Sequence, residues 1–338
     1  MPITDTFNRP LRDLRISLID RCNFRCPYCM PSEKFHHAYQ FLDKKLWLSF
    51  DEIERLTRIF VSLGVTKLRL TGGEPLLRPE LDGLIRQLSI IPGVEDLALT
   101  TNGSMLVQWA QRLKAAGLHR LTVSLDTLDE TVFHQMSGEK GSVIDVLEGI
   151  RAAEMAGFES IKINAVIQRG INDHTVLDLV KYFRGTPHSL RFIEYMDVGN
   201  QNHWDNAQVV ASSEIISIIN AKFPLKRMGG TQDGDTSETY RFKDGQGEVG
   251  FISSVTKAFC GTCNRLRLSA DGKMYTCLFA SHGMDLSEHL RNGANDELLS
   301  GMIRVNWMRR EDRYSELRSD IHHHSQPMPK IEMYQIGG

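Results

Sequence analysis

The sequence has no apolar run of about 18 residues, the length that a transmembrane helix needs. Its first eleven residues carry Asp5, Arg9 and two prolines rather than the apolar core of a secretion signal. These absences argue against a membrane-spanning or secreted protein. We therefore expect a cytoplasmic protein.

A strong net charge is also absent. The 338 residues include 40 basic and 42 acidic side chains, with a formal net charge of −2. Without an overall positive field, the chain has no general attraction for nucleic acid or an anionic membrane, and we expect neither as a partner. The pattern G-x4-G-K-[ST] does not occur, so a phosphate-bearing ligand would be held by a local group of cations rather than by a P-loop.

Cysteine is scarce, with six residues in 338. This number is too small for a disulfide scaffold in a chain of this length. In a reducing compartment the side chains stay as thiols or thiolates, which suit metal binding and redox chemistry. The other amino acids, 41% hydrophobic and 24% charged, are typical of a globular protein.

Short strand-like runs alternate with helical patterns over the first 196 residues. Six repeats of strand then helix predict parallel strands joined by right-handed crossovers. A closed barrel of the usual kind needs eight. We therefore predict an α/β fold of the partial (β/α)6 barrel type. The predicted strands are Leu14–Leu18, Lys67–Thr71, Asp96–Thr101, Arg120–Leu125, Ser160–Ile167 and Leu190–Met196.

The alternation stops after Met196. The following region is rich in Gly, Asn and Asp and is interpreted as loops and short hairpins around a helix, Ser213–Lys222. A later helix is predicted at Asp296–Trp307. We predict a barrel domain over residues 1–200 and a smaller C-terminal cluster-binding region over residues 201–338.

Three cysteines, Cys22, Cys26 and Cys29, form a C-x3-C-x2-C pattern directly after the first predicted strand. Soft sulfur ligands this close together favour zinc or an iron–sulfur cluster. A structural zinc site needs a fourth protein ligand, for which His36 and His37 are the nearest candidates. Three cysteines on a four-iron cluster instead leave one iron open, as a catalytic centre requires.

This spacing, with the aromatic Tyr28 two residues after the second cysteine, resembles the motif of the radical S-adenosylmethionine (SAM) superfamily. The resemblance implies a 4Fe–4S cluster whose open iron binds SAM and whose electron cleaves it to a 5'-deoxyadenosyl radical. Thr71-Gly-Gly-Glu-Pro75 resembles the superfamily's SAM-amine-binding segment; taken alone it is a turn in which paired glycines permit close backbone approach. The implied SAM contacts are Tyr28, Gly73, Ser124 and Met196.

A second group of cysteines lies near the C-terminus. Cys260, Cys263 and Cys277 form a C-x2-C-x13-C pattern, so the six cysteines divide into two groups of three. A zinc site completed by a distant histidine such as His282 is one interpretation. The other is a second 4Fe–4S cluster with an open iron, which would offer a docking point for a substrate nitrogen or oxygen.

The region from Cys260 to Leu278 resembles the C-terminal cluster region of GTP 3',8-cyclases, radical SAM enzymes that begin molybdenum-cofactor biosynthesis. With the N-terminal motif, the glycine segment and the terminal Gly337-Gly338, the likeness covers almost the whole chain. One departure is Ile19, where the family pattern has a small hydroxyl residue. The run His322–His324 has no counterpart in that pattern and is interpreted as solvated tail rather than as a metal site.

Basic residues interrupt three of the apolar strands. Arg15, Arg69 and Lys162 lie within the first, second and fifth predicted strands, where a buried cation needs an anion or another partner. Structural ion pairs are one explanation. If the three side chains instead share a direction into the barrel, they form a pocket for a polyanion.

The family resemblance implies that GTP lies between the two clusters, with its base on the open iron of the second. Its triphosphate would contact Arg15, Arg69 and Lys162. Arg265 or Arg267 is the candidate catalytic residue that assists reduction or protonation. The other implied GTP contacts are Thr100, Arg265, Leu266 and Arg267.

The implied reaction is that of a lyase. The deoxyadenosyl radical removes the ribose 3'-hydrogen of GTP, the 3'-carbon attacks C8 of guanine, and reduction gives (8S)-3',8-cyclo-7,8-dihydroguanosine 5'-triphosphate. Implied partners are a reductant such as flavodoxin or ferredoxin, the cyclic pyranopterin monophosphate synthase that takes the product, and a second copy in a homodimer. The Gly337-Gly338 tail is expected to return to the site, the alternative being a frayed terminus.

Two other classes of protein fit part of the pattern. A peptide-modifying radical SAM maturase would have more cysteines in its C-terminal part and no Gly-Gly terminus. An electron carrier or a zinc-stabilised scaffold would not need cations on buried strands and would not cleave SAM.

Overall fold

The computed structural model describes residues 2–229, 234–318 and 329–337. The predicted His322–His324 run and Gly338 lie outside these ranges. The described strands are β1 (Asp13–Ser17), β2 (Lys67–Thr71), β3 (Asp96–Thr101), β4 (Arg120–Ser124), β5 (Lys162–Ile167), β6 (Ser189–Glu194), β7 (Leu225–Arg227), β8 (Glu238–Phe242), β9 (Glu248–Ile252), β10 (Arg265–Leu268), β11 (Lys273–Tyr275) and β12 (Met284–Asp285).

Helices follow most of the first six strands and cover the outside of the sheet. None of the helices in the described residues is long and apolar enough to cross a bilayer. They are α1 (Phe50–Ser62), α2 (Leu81–Ser89), α3 (Leu106–Ala115), α4 (Glu130–Ser137), α5 (Val143–Met155), α6 (Val176–Phe183), α7 (Ser212–Lys222), α8 (Ser287–Arg291), α9 (Asp296–Met308) and α10 (Met333–Ile336).

The first helix shows how the sequence sets these elements. Ser49 and Glu52 form a reciprocal capping box at the start of α1. Ile53, Leu56 and Phe60 recur at helical spacing and are buried against the sheet. The polar face stays in solvent, so the helix lies flat on the outside of the barrel.

All described strands belong to one open sheet, in the order β12-β11-β10-β1-β2-β3-β4-β5-β6-β9-β8-β7. Strands β1 to β6 are parallel neighbours in chain order, and the predicted open, partial barrel is confirmed. The predicted strand ends agree to within two residues.

The region after residue 200 adds strands to both edges of the barrel sheet. β10 pairs parallel with β1, and β9 pairs parallel with β6. Short antiparallel hairpins extend each edge further. The two predicted regions share this one sheet. The division of the chain into two units near residue 200 stays a prediction.

Alternation along the strands separates a core from a lumen. On β1, Leu14 and Ile16 are fully buried in the hydrophobic core under the helices. Arg15 lies between them and lines a cavity inside the barrel. The same alternation in each parallel strand brings its polar residues to one interior surface.

Candidate active site

One cavity of about 330 Å³ occupies the interior of the barrel and its rim. This volume is within the usual range for ligand pockets. The cavity is lined by all the predicted site residues except Lys162 and Leu266. These lining residues are Arg15, Cys22, Cys26, Tyr28, Cys29, Arg69, Gly73, Thr100, Ser124, Met196, Cys260, Cys263, Arg265, Arg267 and Cys277.

The N-terminal cysteines lie on a tight loop after β1. The main-chain N–H groups of Cys29 and Met30 both donate to the carbonyl of Cys26, at 3.0 and 2.8 Å. Burial raises the pKa of the Cys22 thiol to about 12 and also raises the pKa values of Cys26 and Cys29. These thiols are therefore protonated until a metal centre replaces the protons.

All six cysteines are free thiols, and every one lines the same cavity. In the described ranges, no three His, Cys, Asp or Glu side chains converge on a single metal ion. The donor set is two groups of three soft thiols around one space. That set fits a pair of iron–sulfur clusters, each with three protein ligands.

The paired glycines after β2 pack against the loop that carries the first cysteines. A Cβ atom on Gly73 would lie 2.1 Å from the carbonyl oxygen of Arg21, and one on Gly72 would lie 2.5 Å from that of Ile19. The N–H of Gly73 donates to the Ile19 carbonyl at 2.7 Å. Glycine is therefore required at both positions by the close contact between these two loops.

We expect Gly73→Ala to lose the N-terminal cluster, because the contacted atom is backbone and cannot move without shifting Cys22. Iron content after reconstitution should fall by roughly half, as one of two four-iron clusters is lost, and SAM cleavage should stop. Gly83→Ala is the matched control, since nothing lies within 4 Å of its added Cβ. Full iron content in Gly73→Ala would contradict this explanation.

Glu74 ties the glycine segment to the next strand. Its buried carboxylate accepts hydrogen bonds from the Thr101 hydroxyl at 2.7 Å and the main-chain N–H groups of Leu76 and Asn102 at 3.0 and 2.8 Å. The Asn102 side chain then donates to Asn23 beside Cys22. This network connects the loops after β1, β2 and β3.

Tyr28 is held by a carboxylate at the end of β4. Its hydroxyl donates to Oδ2 of Asp126 at 2.8 Å, and Oδ1 of Asp126 accepts from the N–H of Val166 at 2.8 Å. Burial raises the pKa of Asp126 to about 6. Ser124, the last residue of β4, and Met196, two residues after β6, line the same cavity.

The C-terminal cysteines lie on the opposite side of the cavity. Cys260 and Cys263 begin and follow a short 3-10 turn before β10, and the Cys263 N–H donates to the Cys260 carbonyl at 3.1 Å. Burial favours the neutral thiol of Cys263, but the guanidinium groups of Arg265 and Arg310 together favour the thiolate more strongly. The pKa of Cys263 is therefore lowered to about 6. Burial raises the pKa of the Cys277 thiol to about 12, so Cys263 is more readily ionised than Cys277.

A row of arginines lines the interior between the two cysteine groups. Arg15 on β1 is in register with Arg267 on β10 and with Arg69 on β2. Like charges on directly paired residues repel each other. Burial and the neighbouring arginines Arg267, Arg69 and Arg265 lower the pKa of Arg15, partly opposed by Asp13.

These cations have few protein partners. Within the described residues, the Nε atoms of Arg15, Arg69 and Arg191 are buried without a hydrogen-bond partner. Nη1 of Arg69 donates to the hydroxyls of both Thr100 and Thr122, at 3.1 Å each. Burial of charged groups that lack hydrogen-bond partners is costly, and an anion in the interior would supply partners for these nitrogens.

Lys162 and Leu266 differ in position from the other predicted contacts. Lys162 lies on the same face of β5 as the cavity-lining Asn164, one pleat closer to the start of the strand. Leu266 is fully buried in the core, packed on the opposite face of β10 from its two arginine neighbours. Because its side chain faces the core, only its main-chain atoms could contact GTP. That contact stays a prediction.

The sequence reasoning missed several lining residues, one of which is the cation Arg191. It lies within the apolar strand β6, carries the same signal as Arg15 and Arg69, and lines the cavity. Burial and then the neighbouring arginines lower its pKa to about 10. Its partner in register, Asn164, also lines the cavity, with Oδ1 unpaired among the described residues.

The C-terminal tail returns to this cavity. Arg267 donates through Nη1 to the carbonyls of Ile336 and Gly337. Gly337 has a φ of 73°, and a Cβ atom there would lie 2.0 Å from Cγ2 of Thr71. A side chain at this position would collide with β2, which explains the glycine. Tyr334 of α10 lines the cavity and is hydrogen-bonded to the hydroxyl of Tyr39 at 3.0 Å.

Comparisons with solved structures support the fold. The crystal structure of Streptococcus suis SuiB bound to precursor peptide SuiA matches with a TM-score of 0.60 at 14% identity, covering 98% of this chain and 77% of that one. SuiB bound to S-adenosylmethionine matches with a TM-score of 0.56 at 15% identity, covering 88% and 69%. At these identities the likeness shows the fold alone.

Sequence comparisons show the family. The Radical SAM superfamily model matches residues 16–183, and the Molybdenum Cofactor Synthesis C model matches residues 188–316. The GTP 3',8-cyclase of Xanthomonas axonopodis pv. citri is 52% identical over 100% of this chain and 99% of that protein. That of Staphylococcus saprophyticus is 44% identical over 99% of each. With both cysteine groups in one cavity and this identity over its length, the chain belongs to the GTP 3',8-cyclase family of radical SAM enzymes.

Proposed function

We propose that the chain carries out its family's reaction inside the barrel, with GTP held between the two cysteine groups by the interior arginines. The activity is the radical SAM-dependent conversion of GTP to (8S)-3',8-cyclo-7,8-dihydroguanosine 5'-triphosphate, the first step of molybdenum-cofactor biosynthesis. The cofactors are SAM and two 4Fe–4S clusters, so neither zinc interpretation is retained.

The observation that carries the proposed geometry is the row of cations between the two groups of thiols. The first group is assigned to Cys22, Cys26 and Cys29, on the loop beside the glycine segment. The second is assigned to Cys260, Cys263 and Cys277, beside β10 and its arginines. A triphosphate placed between them would meet cations that lack a full set of protein partners.

SAM is assigned to the rim over the first group, with contacts from Tyr28, Gly73, Ser124 and Met196. The support is that all four line the cavity, and that Tyr28 lies on the loop of these cysteines and Gly73 packs against it. When bound, the first cluster and SAM supply the 5'-deoxyadenosyl radical that abstracts hydrogen. The protein's part is to fix Tyr28 through Asp126 and to hold the glycine segment through Glu74.

The triphosphate of GTP is assigned to Arg15, Arg69 and Lys162. Arg265 and Arg267 extend the same positive surface toward the second cysteine group. Their charges would stabilise negative charge that develops on the substrate when it is reduced. The remaining proposed contacts are Thr100 and the main chain of Leu266.

The direct test is anaerobic incubation of the reconstituted protein with dithionite, SAM and GTP, followed by chromatography. We expect 5'-deoxyadenosine to form in step with loss of GTP and appearance of a guanosine-derived product. SAM cleavage that is indifferent to GTP would redirect the assignment to a peptide substrate. No cleavage with both clusters present would overturn it.

The proposed partners follow from this chemistry. A flavodoxin or ferredoxin supplies electrons, and a cyclic pyranopterin monophosphate synthase consumes the product. A homodimer is the proposed assembly, and its mass in solution would test it. Coupled turnover with each purified protein in place of dithionite, or with the synthase added, tests the other two.

GTP binding should weaken as pH rises above neutral. Burial, together with Arg191, Arg120 and Arg69, lowers the pKa of Lys162 to about 7. A bound triphosphate would raise that pKa, because it favours the charged amine. At a pH between these two pKa values, the amine of Lys162 is neutral in the ligand-free protein and charged in the GTP complex. GTP therefore binds with uptake of a proton, and affinity falls by up to about tenfold per pH unit.

Calorimetry of GTP binding in two buffers of different ionisation enthalpy measures this proton uptake. The Lys162→Met variant should bind GTP less tightly at pH 7 and lose the uptake between pH 7 and 9. Any contribution from the γ-phosphate is common to both proteins and cancels in the comparison. Equal proton uptake by the variant and the unchanged protein would contradict the prediction.

A further inference from the structure

The turn that carries Cys260 and Cys263 is held by the N-terminal segment of the chain, some 250 residues away in sequence. Nη1 of Arg9 donates to the carbonyl of Cys260 at 2.8 Å. Nη1 of Arg310 donates to the carbonyl of Cys263 at 2.7 Å. Each cysteine of the turn thus has its own guanidinium group.

One carboxylate joins the two guanidinium groups. Oδ2 of Asp5 lies 2.6 Å from Nε of Arg9 and 3.3 Å from Nη1 of Arg310. The Asp5 side chain is fully buried, and those of the two arginines are 2% exposed. A buried triad of this kind is costly to assemble from solvated ions, so packing alone does not account for it.

The surrounding helix end fixes the orientation of Arg310. Its guanidinium lies 4.6 Å from the centre of the Trp307 ring. The Trp307 indole N–H donates to the Arg9 carbonyl at 3.3 Å, and the Thr6 hydroxyl donates to the Arg310 carbonyl at 2.7 Å. The side chain is therefore held in one direction, toward the cysteine turn.

Nε of Arg310 lies 3.3 Å from Oδ2 of Asp312, and its Nη2 reaches a cysteine sulfur. Nη2 lies 3.2 Å from Sγ of Cys263, at hydrogen-bond distance. Hydrogen bonds and positive charge at a ligand sulfur are among the factors that set the reduction potential of an iron–sulfur cluster. Reduction adds a negative charge, so a cation at this place stabilises the reduced form more than the oxidised form.

We propose that Arg310, held by Asp5 and Arg9, is a positioning residue of the second cluster that fixes Cys263 and raises the reduction potential of the cluster. The inference rests on the proposed assignment of Cys260, Cys263 and Cys277 as its ligands. It assigns the N-terminal segment a role that the GTP and SAM contacts do not include. The cluster would be easier to reduce with Arg310 than without it.

The test measures the potential of the second cluster alone. In a full-length chain with Cys22, Cys26 and Cys29 all changed to alanine, the second cluster is the only one left to titrate. Redox titration monitored by electron paramagnetic resonance then compares this parent with Arg310→Gln, Arg310→Lys and Arg309→Gln added to it. Arg309 is the adjacent, exposed arginine, so its variant removes the same charge without the contact to sulfur.

We expect a shift to more negative potential in Arg310→Gln, a smaller shift in the same direction in Arg310→Lys, and none in Arg309→Gln. The lysine variant keeps the charge but cannot reach both Cys263 and Asp5. If Arg310→Gln fails to hold iron, the lysine variant decides the question. An unchanged potential at full iron content in either Arg310 variant would overturn the inference, whereas a parent without a cluster would overturn the assignment of the ligands.

Discussion

Cys277→Ala is expected to abolish GTP conversion and to leave reductive SAM cleavage, whereas Cys26→Ala is expected to abolish both. Both thiols line the same cavity, but they belong to different groups of three. Cys26 lies on the loop beside the glycine segment, where SAM is assigned. Cys277 follows β11 on the side of β10 and its arginines. Each loss should exceed about a thousandfold, since a missing ligand removes the group that supplies the chemistry.

The measurement is paired quantification of 5'-deoxyadenosine and GTP-derived product for both variants and the unchanged chain. Iron content and electron paramagnetic resonance spectra confirm which cluster each variant retains. The two variants serve as controls for each other, because each removes one thiol from the same cavity. Product formation by Cys277→Ala, or loss of SAM cleavage in that variant with the first cluster intact, would contradict the assignment.

Local patterns were enough to predict the cysteine groups and the six central strands. Cys22, Cys26 and Cys29 are close in sequence, and the loop that carries them is closed by its own hydrogen bonds. The strand β2, Lys67–Thr71, alternates apolar and polar residues and has the predicted bounds. Features of this kind depend on neighbours within a few residues, which the sequence displays directly.

Long-range pairing was not visible in the same way. The strand β10 has four residues, Arg265–Leu268, and takes its place beside β1 through partners about 250 residues away. The ion pair between Asp5 and Arg310 joins residues 305 apart. Nothing in the local pattern of either segment specifies such a partner, so the sequence analysis predicted neither the pairing of β10 with β1 nor this ion pair.

Arg191 shows a different limit. Its signal, a cation inside an apolar strand, is the same as that of Arg15. Only the register of the sheet shows that both side chains line one cavity. A sequence pattern can identify a charged residue whose burial is costly. Only the three-dimensional structure shows whether its neighbours supply the hydrogen-bond partners it needs.

Arg15→Met is expected to weaken GTP binding and to stabilise the protein without ligand. Arg15 lies between Arg267 and Arg69 in register, and its Nε is unpaired within the described part of the chain. Removing it relieves repulsion and the burial of a charge, so the free energy of unfolding should rise by about 1 to 2 kcal/mol. GTP affinity should fall roughly a hundredfold, because a phosphate would lose a buried, charged partner.

Thermal or urea unfolding and calorimetric GTP binding measure these two effects on the same preparations. Arg151→Gln, on the exposed side of α5, is the matched control and should change neither. The opposite signs distinguish a binding residue from a structural one, since loss of a structural ion pair would lower the stability of the free protein. If Arg15→Met instead destabilised the ligand-free chain and bound GTP as before, Arg15 would be a structural residue, and the polyanion pocket would have to be built from the remaining cations.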